Sequence, residues 1–213
     1  MADLSRTTCD VGPASWSTSE GAGMSSTQLP FSEVSYRSHP NNWFNRASDL
    51  HASAGAIWLA MESGRASAQA LGLWQGFDMT VACRPVYHLL SGLSLEVLMK
   101  GVLAERGAAP ELTHNLLELA KALPLELLDG EPELLRYYSD TVIWAAKYPV
   151  PTRPTDEKLA AFYSNAVEVL TDSVPGAAFS PKLPVYRVSS SGRADWEPFN
   201  NLYGRIFALR HAQ

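Results

Sequence analysis

A carboxylate and an ammonium stand inside the most apolar stretch of the chain. In the run Tyr87-His-Leu-Leu-Ser-Gly-Leu-Ser-Leu-Glu-Val-Leu-Met-Lys100, Glu96 precedes Lys100 by four residues. On a helix this spacing puts a carboxylate and an ammonium on one face, one turn apart, with the acid on the favourable N-terminal side. Val86, Leu89, Leu90, Leu93, Leu95, Val97, Leu98, Met99, Val102 and Leu103 surround the pair and leave no wide polar face, so the helix is expected to be central and mostly buried. A third group follows in Thr113-His114-Asn115. The connection Gly107-Ala-Ala-Pro110 should fold the next helix back, carrying His114 and Asn115 toward Glu96. Glu96, Lys100, His114 and Asn115 then form a candidate polar pocket, in which the carboxylate orients the imidazole or the ammonium for ligand binding or proton transfer. The competing reading is an internal ion pair with a helix-capping histidine, which fixes helix register.

Positioning these groups requires a helical frame, and the apolar periodicity supplies one. Trp43, Phe44, Ala47, Leu50, Ala54, Ile57, Trp58 and Met61 recur at threes and fours, predicting a first core helix from Asn41 to about Glu62 that Gly64 ends. Residues 64–80 read as a loop or short helical turn, and Pro85 as the first position of the buried helix, which runs to about Gly107. Thr113 is the expected cap of a short helix through Leu123. A further helix is predicted from Pro132 to Tyr148, with Leu134, Leu135, Tyr138, Val142, Ile143 and Ala146 inward, stopped by Pro149-Val-Pro151. Asp156 to Leu170 is the next, with a stripe of Leu159, Phe162, Tyr163, Ala166, Val167 and Leu170. Residues 172–194 read as loop, with Val185-Tyr-Arg-Val188 the one short strand candidate. A last helix from Asp195 to about Leu209 presents Trp196, Phe199, Leu202, Tyr203 and Phe207. The expected fold is all-α: an up-and-down bundle of five to six helices. Residues 1–38 are expected to be a disordered leader, 39–171 the bundle, and 172–213 a loop with a C-terminal helix packing on it.

Composition narrows the class. The chain has 213 residues, 46% hydrophobic and 18% charged, enough for one sizeable core. Its net charge is −5, concentrated between residues 111 and 133, where Glu111, Glu118, Glu126, Asp129, Glu131 and Glu133 face only Lys121. Residues 182–210 lean basic through Lys182, Arg187, Arg193, Arg205 and Arg210, which reads first as a solvated face of mixed charge. Cys9 and Cys83 give neither a disulfide framework nor a metal-ligand spacing, so no metal and no cofactor are expected and a reducing cytoplasm fits best. The N-terminus lacks the apolar core of an export signal, and no run of 18 uninterrupted apolar residues predicts a membrane span. Gly72 and Gly76 lack the Lys-Ser or Lys-Thr of a phosphate-cradling loop. Tyr137, Tyr138, Trp144 and Tyr148 could stack on bases where exposed, but at helical spacing most of them read as core.

The motif Tyr87-x5-Leu93-x2-Glu96-x3-Lys100-Gly101, followed by Arg106-Gly107-x6-His114-Asn115-Leu116-x-Glu118-Leu119, resembles the higher eukaryotes and prokaryotes nucleotide-binding (HEPN) helical domains. Trp144-x2-Lys147-Tyr148-Pro149-Val150-Pro151 is similar to a segment of uncharacterised bacterial members, and the likeness covers about Trp43 to Leu170. The resemblance implies a helical bundle that dimerises, and a nucleotide- or RNA-linked accessory role in bacterial stress, toxin–antitoxin or antiphage systems, with a nucleotide, RNA or cognate protein as partner. A second reading is a non-enzymatic interaction or dimerisation module with a structural polar trio. A third is a metal-independent endoribonuclease, the nucleolytic branch being marked by an Arg, four to six residues and a His. Arg46 and His51 have that spacing, as do Arg205 and His211, whereas Arg84 and His88 are one residue too close. In the enzyme reading His51 acts as general acid or base and Arg46 stabilises the charged phosphorane.

Overall fold

The computed structural model describes residues 32, 36, 38–108, 112–175 and 186–210. Most of the predicted leader, and with it the expectation of disorder there, lies outside the described residues. Among those described, seven α-helices and one π-helical segment account for most of the chain: α1 (Pro40–Ser63), α2 (Arg65–Ala70), α3 (Met79–Glu105), α4 (Leu116–Lys121), α5 (Glu131–Asp140) running into the π segment Thr141–Ala145, α6 (Asp156–Leu170) and α7 (Trp196–Ala208). A two-stranded antiparallel sheet, β1 (Thr171–Pro175) and β2 (Tyr186–Ser190), sits between α6 and α7 with Thr171 opposite Ser190. The architecture is an all-α bundle with one β-ribbon attached. The six-residue helix α2, in the stretch read as a loop or short helical turn, takes the count past the five or six expected.

Helix α3 is the axis of the bundle, and α1 is its principal neighbour. Phe44 lies against Gly101 and Thr80 Oγ1 donates to the Met61 carbonyl, so the two helices run antiparallel. Close approach depends on glycine. A Cβ at Gly101 would stand 2.9 Å from the Phe44 ring, and one at Gly92 would stand 2.8 Å from Val142 Cγ2 and 3.1 Å from the Tyr138 carbonyl oxygen. Helix α7 closes the other side, placing Phe199, Leu202 and Ile206 in the same core as Leu95, Leu98 and Met99. Most of α3's length is thereby withdrawn from water. It is the one helix among the described residues long and apolar enough to cross a membrane, with a mean hydropathy of 1.3 over its most apolar stretch. Yet 72% of that stretch is buried inside the protein, so the core accounts for its apolarity.

Several local expectations are corrected. Pro85 does not open the buried helix, which begins two turns earlier where Asp78 Oδ1 accepts from the backbone N–H groups of Thr80 and Val81. Pro85 is tolerated inside because Val81, whose carbonyl loses its helical partner, is exposed to water. The cap of α4 is Asn115, whose Oδ1 accepts from Glu118 N–H, while Thr113 Oγ1 accepts from Asn115 N–H one step earlier. The predicted 132–148 helix is α5 plus the π segment. The wider turn advances the register, burying Trp144 and leaving Ile143 exposed. Helix α6 contacts α5 along a narrow stripe of Phe162, Ala166 and Val169, so Tyr163 and Val167 stay exposed at its edge. In α7, Ile206 is buried where Phe207 was expected. Val86 likewise faces solvent. The loop expected over 172–194 contains both strands, β1 being the one that periodicity missed.

Gly92→Ala should destabilise the protein by about 1–3 kcal/mol through overpacking against α5 and the π segment. Gly204→Ala, in α7 with no atom close to its Cβ position, should stabilise by about 0.5–1 kcal/mol through helix propensity. Urea denaturation of the two variants beside the parent checks both signs.

Candidate functional site

Glu96 and Lys100 point into the crowded side of α3 and are both buried. Lys100 Nζ donates to Glu96 Oε1 at 2.7 Å. The second partner of that carboxylate comes from the segment before α4. His114 Nδ1 lies 3.0 Å from Oε1 and 3.1 Å from Oε2. A carboxylate only accepts, so the hydrogen sits on His114 Nδ1, and the ring's Nε2 has no partner among the described residues. The imidazole is held in place by its backbone: the Thr113 and Asn115 turns flank it, and Ser139 Oγ of α5 accepts from Leu116 N–H two residues on. Burial is unequal across the trio, with 6% of the Glu96 side chain and 10% of Lys100 exposed against 58% of His114.

Such an arrangement can do two things. A neutral imidazole held through Nδ1 presents Nε2 as a proton acceptor, and the protonated ring presents an N–H to an anion. Lys100 balances the carboxylate from the dry side, so the charge of Glu96 is not left unpaired in the core. Of the predicted pocket residues, Glu96, Lys100 and His114 converge on one carboxylate. Asn115 turns instead to the α4 backbone as its cap.

Arg46 and His51 behave differently. Five residues apart on α1, they are separated by about 140° around the helix axis. Arg46 is exposed, in a groove it shares with Trp43 and Asp49. His51 faces α7, where its Nε2 pairs with Asn200 Oδ1 at 2.9 Å and its ring stacks on Tyr203 with centroids 4.1 Å apart. Burial pushes the His51 pKa down, against a smaller upward effect of Asn200. Arg205 is engaged by Glu131 and the Glu126 carbonyl, and His211 lies outside the described residues. Among the described residues no cluster of three His, Cys, Asp or Glu side chains could hold a metal, and Cys83 is a free thiol.

Sequence reasoning missed a second polar pair. His88 is buried on α3 and its Nδ1 lies 2.7 Å from Tyr137 Oη on α5. Burial, helped by the nearby Arg84 charge, pushes the His88 pKa down to about 3, and burial raises the Tyr137 phenol. Both are therefore neutral near neutral pH. The available signal was the histidine itself, one turn before Gly92 in an apolar helix; its partner, 49 residues on, had none.

Comparison with protein-family models, with curated proteins and with solved structures finds no match for this chain.

The depressed His88 pKa fixes the sign of an acid effect. Between about 6.5 and 3 the unfolded chain holds a proton on this residue that the native state does not, so stability is lost as pH falls. The expected slope is ~1.4 kcal/mol per pH unit for one such proton, with His51 adding in the same direction. His88→Phe should flatten the slope of unfolding free energy against pH measured between pH 6 and 4.

Proposed function

We propose that this chain is a HEPN-like nucleotide- or RNA-linked accessory protein of a bacterial stress, toxin–antitoxin or antiphage system, and that His114 is its phosphate contact. What carries the reading is the shared carboxylate: a buried Glu96 is saturated from inside by Lys100 and from outside by an imidazole whose ring stays exposed. Held at Nδ1 by Glu96, the ring in its protonated form donates Nε2–H to a phosphate oxygen without first ordering a mobile side chain. The all-α bundle agrees with the motif resemblance at Tyr87–Leu119, and the assembly that this resemblance carries with it is a homodimer. RNA cleavage through Arg46 and His51 is not part of the proposal, because the two point about 140° apart and His51 is committed to α7.

A second reading has its own support. Two of the three groups are nearly sealed from water, and the contact from His114 ties the turn before α4 down on α3. In that case the trio is a latch, and the chain is a non-enzymatic interaction module.

The two readings separate on ligand response. ATP or a short oligoribonucleotide should raise the melting temperature, by an amount equivalent to about 2.7 kcal/mol at a hundredfold excess over Kd. His114→Ala, at an exposed ring, should abolish that rise while leaving the ligand-free protein folded. An equal rise in the variant, or none in the parent, refutes the phosphate contact and leaves the latch.

A further inference from the structure

A cavity of about 260 Å³ opens where the first turns of α3 face the π segment and α6. His88 and Tyr137 line it, joined by their 2.7 Å hydrogen bond. Pro85 and Phe162 give it apolar walls, and Ala145 and Ala146 keep it open on the side of the π segment. None of Glu96, Lys100 and His114 takes part in it.

The charge at the cavity is one-sided. Arg84, one turn before His88, is the single charged residue among those that line it, and it is exposed. It pairs with no carboxylate among the described residues. Its field reaches both His88 and Tyr137, and with burial it keeps the imidazole neutral. The cavity thus combines an unpaired guanidinium, apolar walls and one neutral hydrogen-bonding pair. A planar guanidinium without a partner is suited to bidentate recognition of a carboxylate. The volume lies just under the roughly 300–1,000 Å³ of drug-sized ligand sites, which sets the ligand at about a single ring. The wall contributed by Thr141–Ala145 is π-helical, a geometry that is rare and frequent at functional sites.

We propose that this cavity binds a small carboxylic acid with an aromatic or branched aliphatic body, its carboxylate on Arg84 and its hydrocarbon against Phe162 and Pro85. A ring hydroxyl or carbonyl on such a ligand meets the His88–Tyr137 pair. The site is separate from the His114 locus and stands without it.

Benzoate and cyclohexanecarboxylate, titrated into the full chain with benzamide as the uncharged counterpart, test this by calorimetry and by backbone amide NMR. Saturable binding of the acids is expected, with amide shifts centred on residues 84–88 and 141–146. Affinity should fall by about tenfold for benzamide and in Arg84→Met, whose exposed position spares the fold. His114→Ala should bind benzoate as the parent does, which keeps the outcome independent of the nucleotide reading. Absence of saturable binding by both acids, or binding that Arg84→Met leaves unchanged, overturns the proposal.

Discussion

One carboxylate sets the terms for the rest of the molecule. Glu96 sits in the interior of an apolar helix, where an unpaired charge costs several kcal/mol on the order of what a whole small domain has to spare. Lys100, one turn on, neutralises it within the same helix at 2.7 Å. The remaining accepting capacity has to be met by another segment, and His114 meets it at 3.0 Å. The connection after α3 must therefore return to α3, and α4 must start where the Thr113 and Asn115 turns place it. The trio thus joins a local spacing to a tertiary constraint.

Around that point the packing is close. Gly101, the residue after Lys100, lets the Phe44 ring of α1 approach the α3 backbone, and Gly92 does the same for α5 and the start of the π segment. Aromatic rings fill the remaining angles: Tyr87 and Tyr138 meet Phe199 of α7 edge-on, and His51 stacks on Tyr203. Two neutral histidines, His51 and His88, thus serve as interhelical contacts, while His114, the most exposed of the three, is the one paired with a charge. Exposure separates His114 from the two histidines that hold helices together.

The helical frame was legible because its residues repeat at threes and fours, and because a Glu and a Lys four apart in an apolar run can only share a face. Convergence of His114 on Glu96 was readable as far as direction, since a short Gly-Ala-Ala-Pro connection leaves few return paths. The distance was not, because it depends on turns made by Thr113 and Asn115 that compete for the role of cap. Pro85 misled because its usual place at a helix start outweighed the Asp78 signal seven residues earlier. The π segment leaves no periodic trace, since inserting one residue per turn swaps Ile143 for Trp144 without changing composition. His88 and Tyr137 could not be paired from sequence at all, being brought together only by the α3–α5 crossing at Gly92.

Glu96 and Lys100 form a dry, mutually dependent pair, and a double-mutant cycle in urea measures that dependence directly. Glu96→Leu alone strands a buried ammonium and is expected to cost about 3–5 kcal/mol, whereas Glu96→Leu with Lys100→Met should recover to within about 1 kcal/mol of the parent or exceed it. Single costs below about 1 kcal/mol that simply add would mark a solvated surface pair and contradict the account.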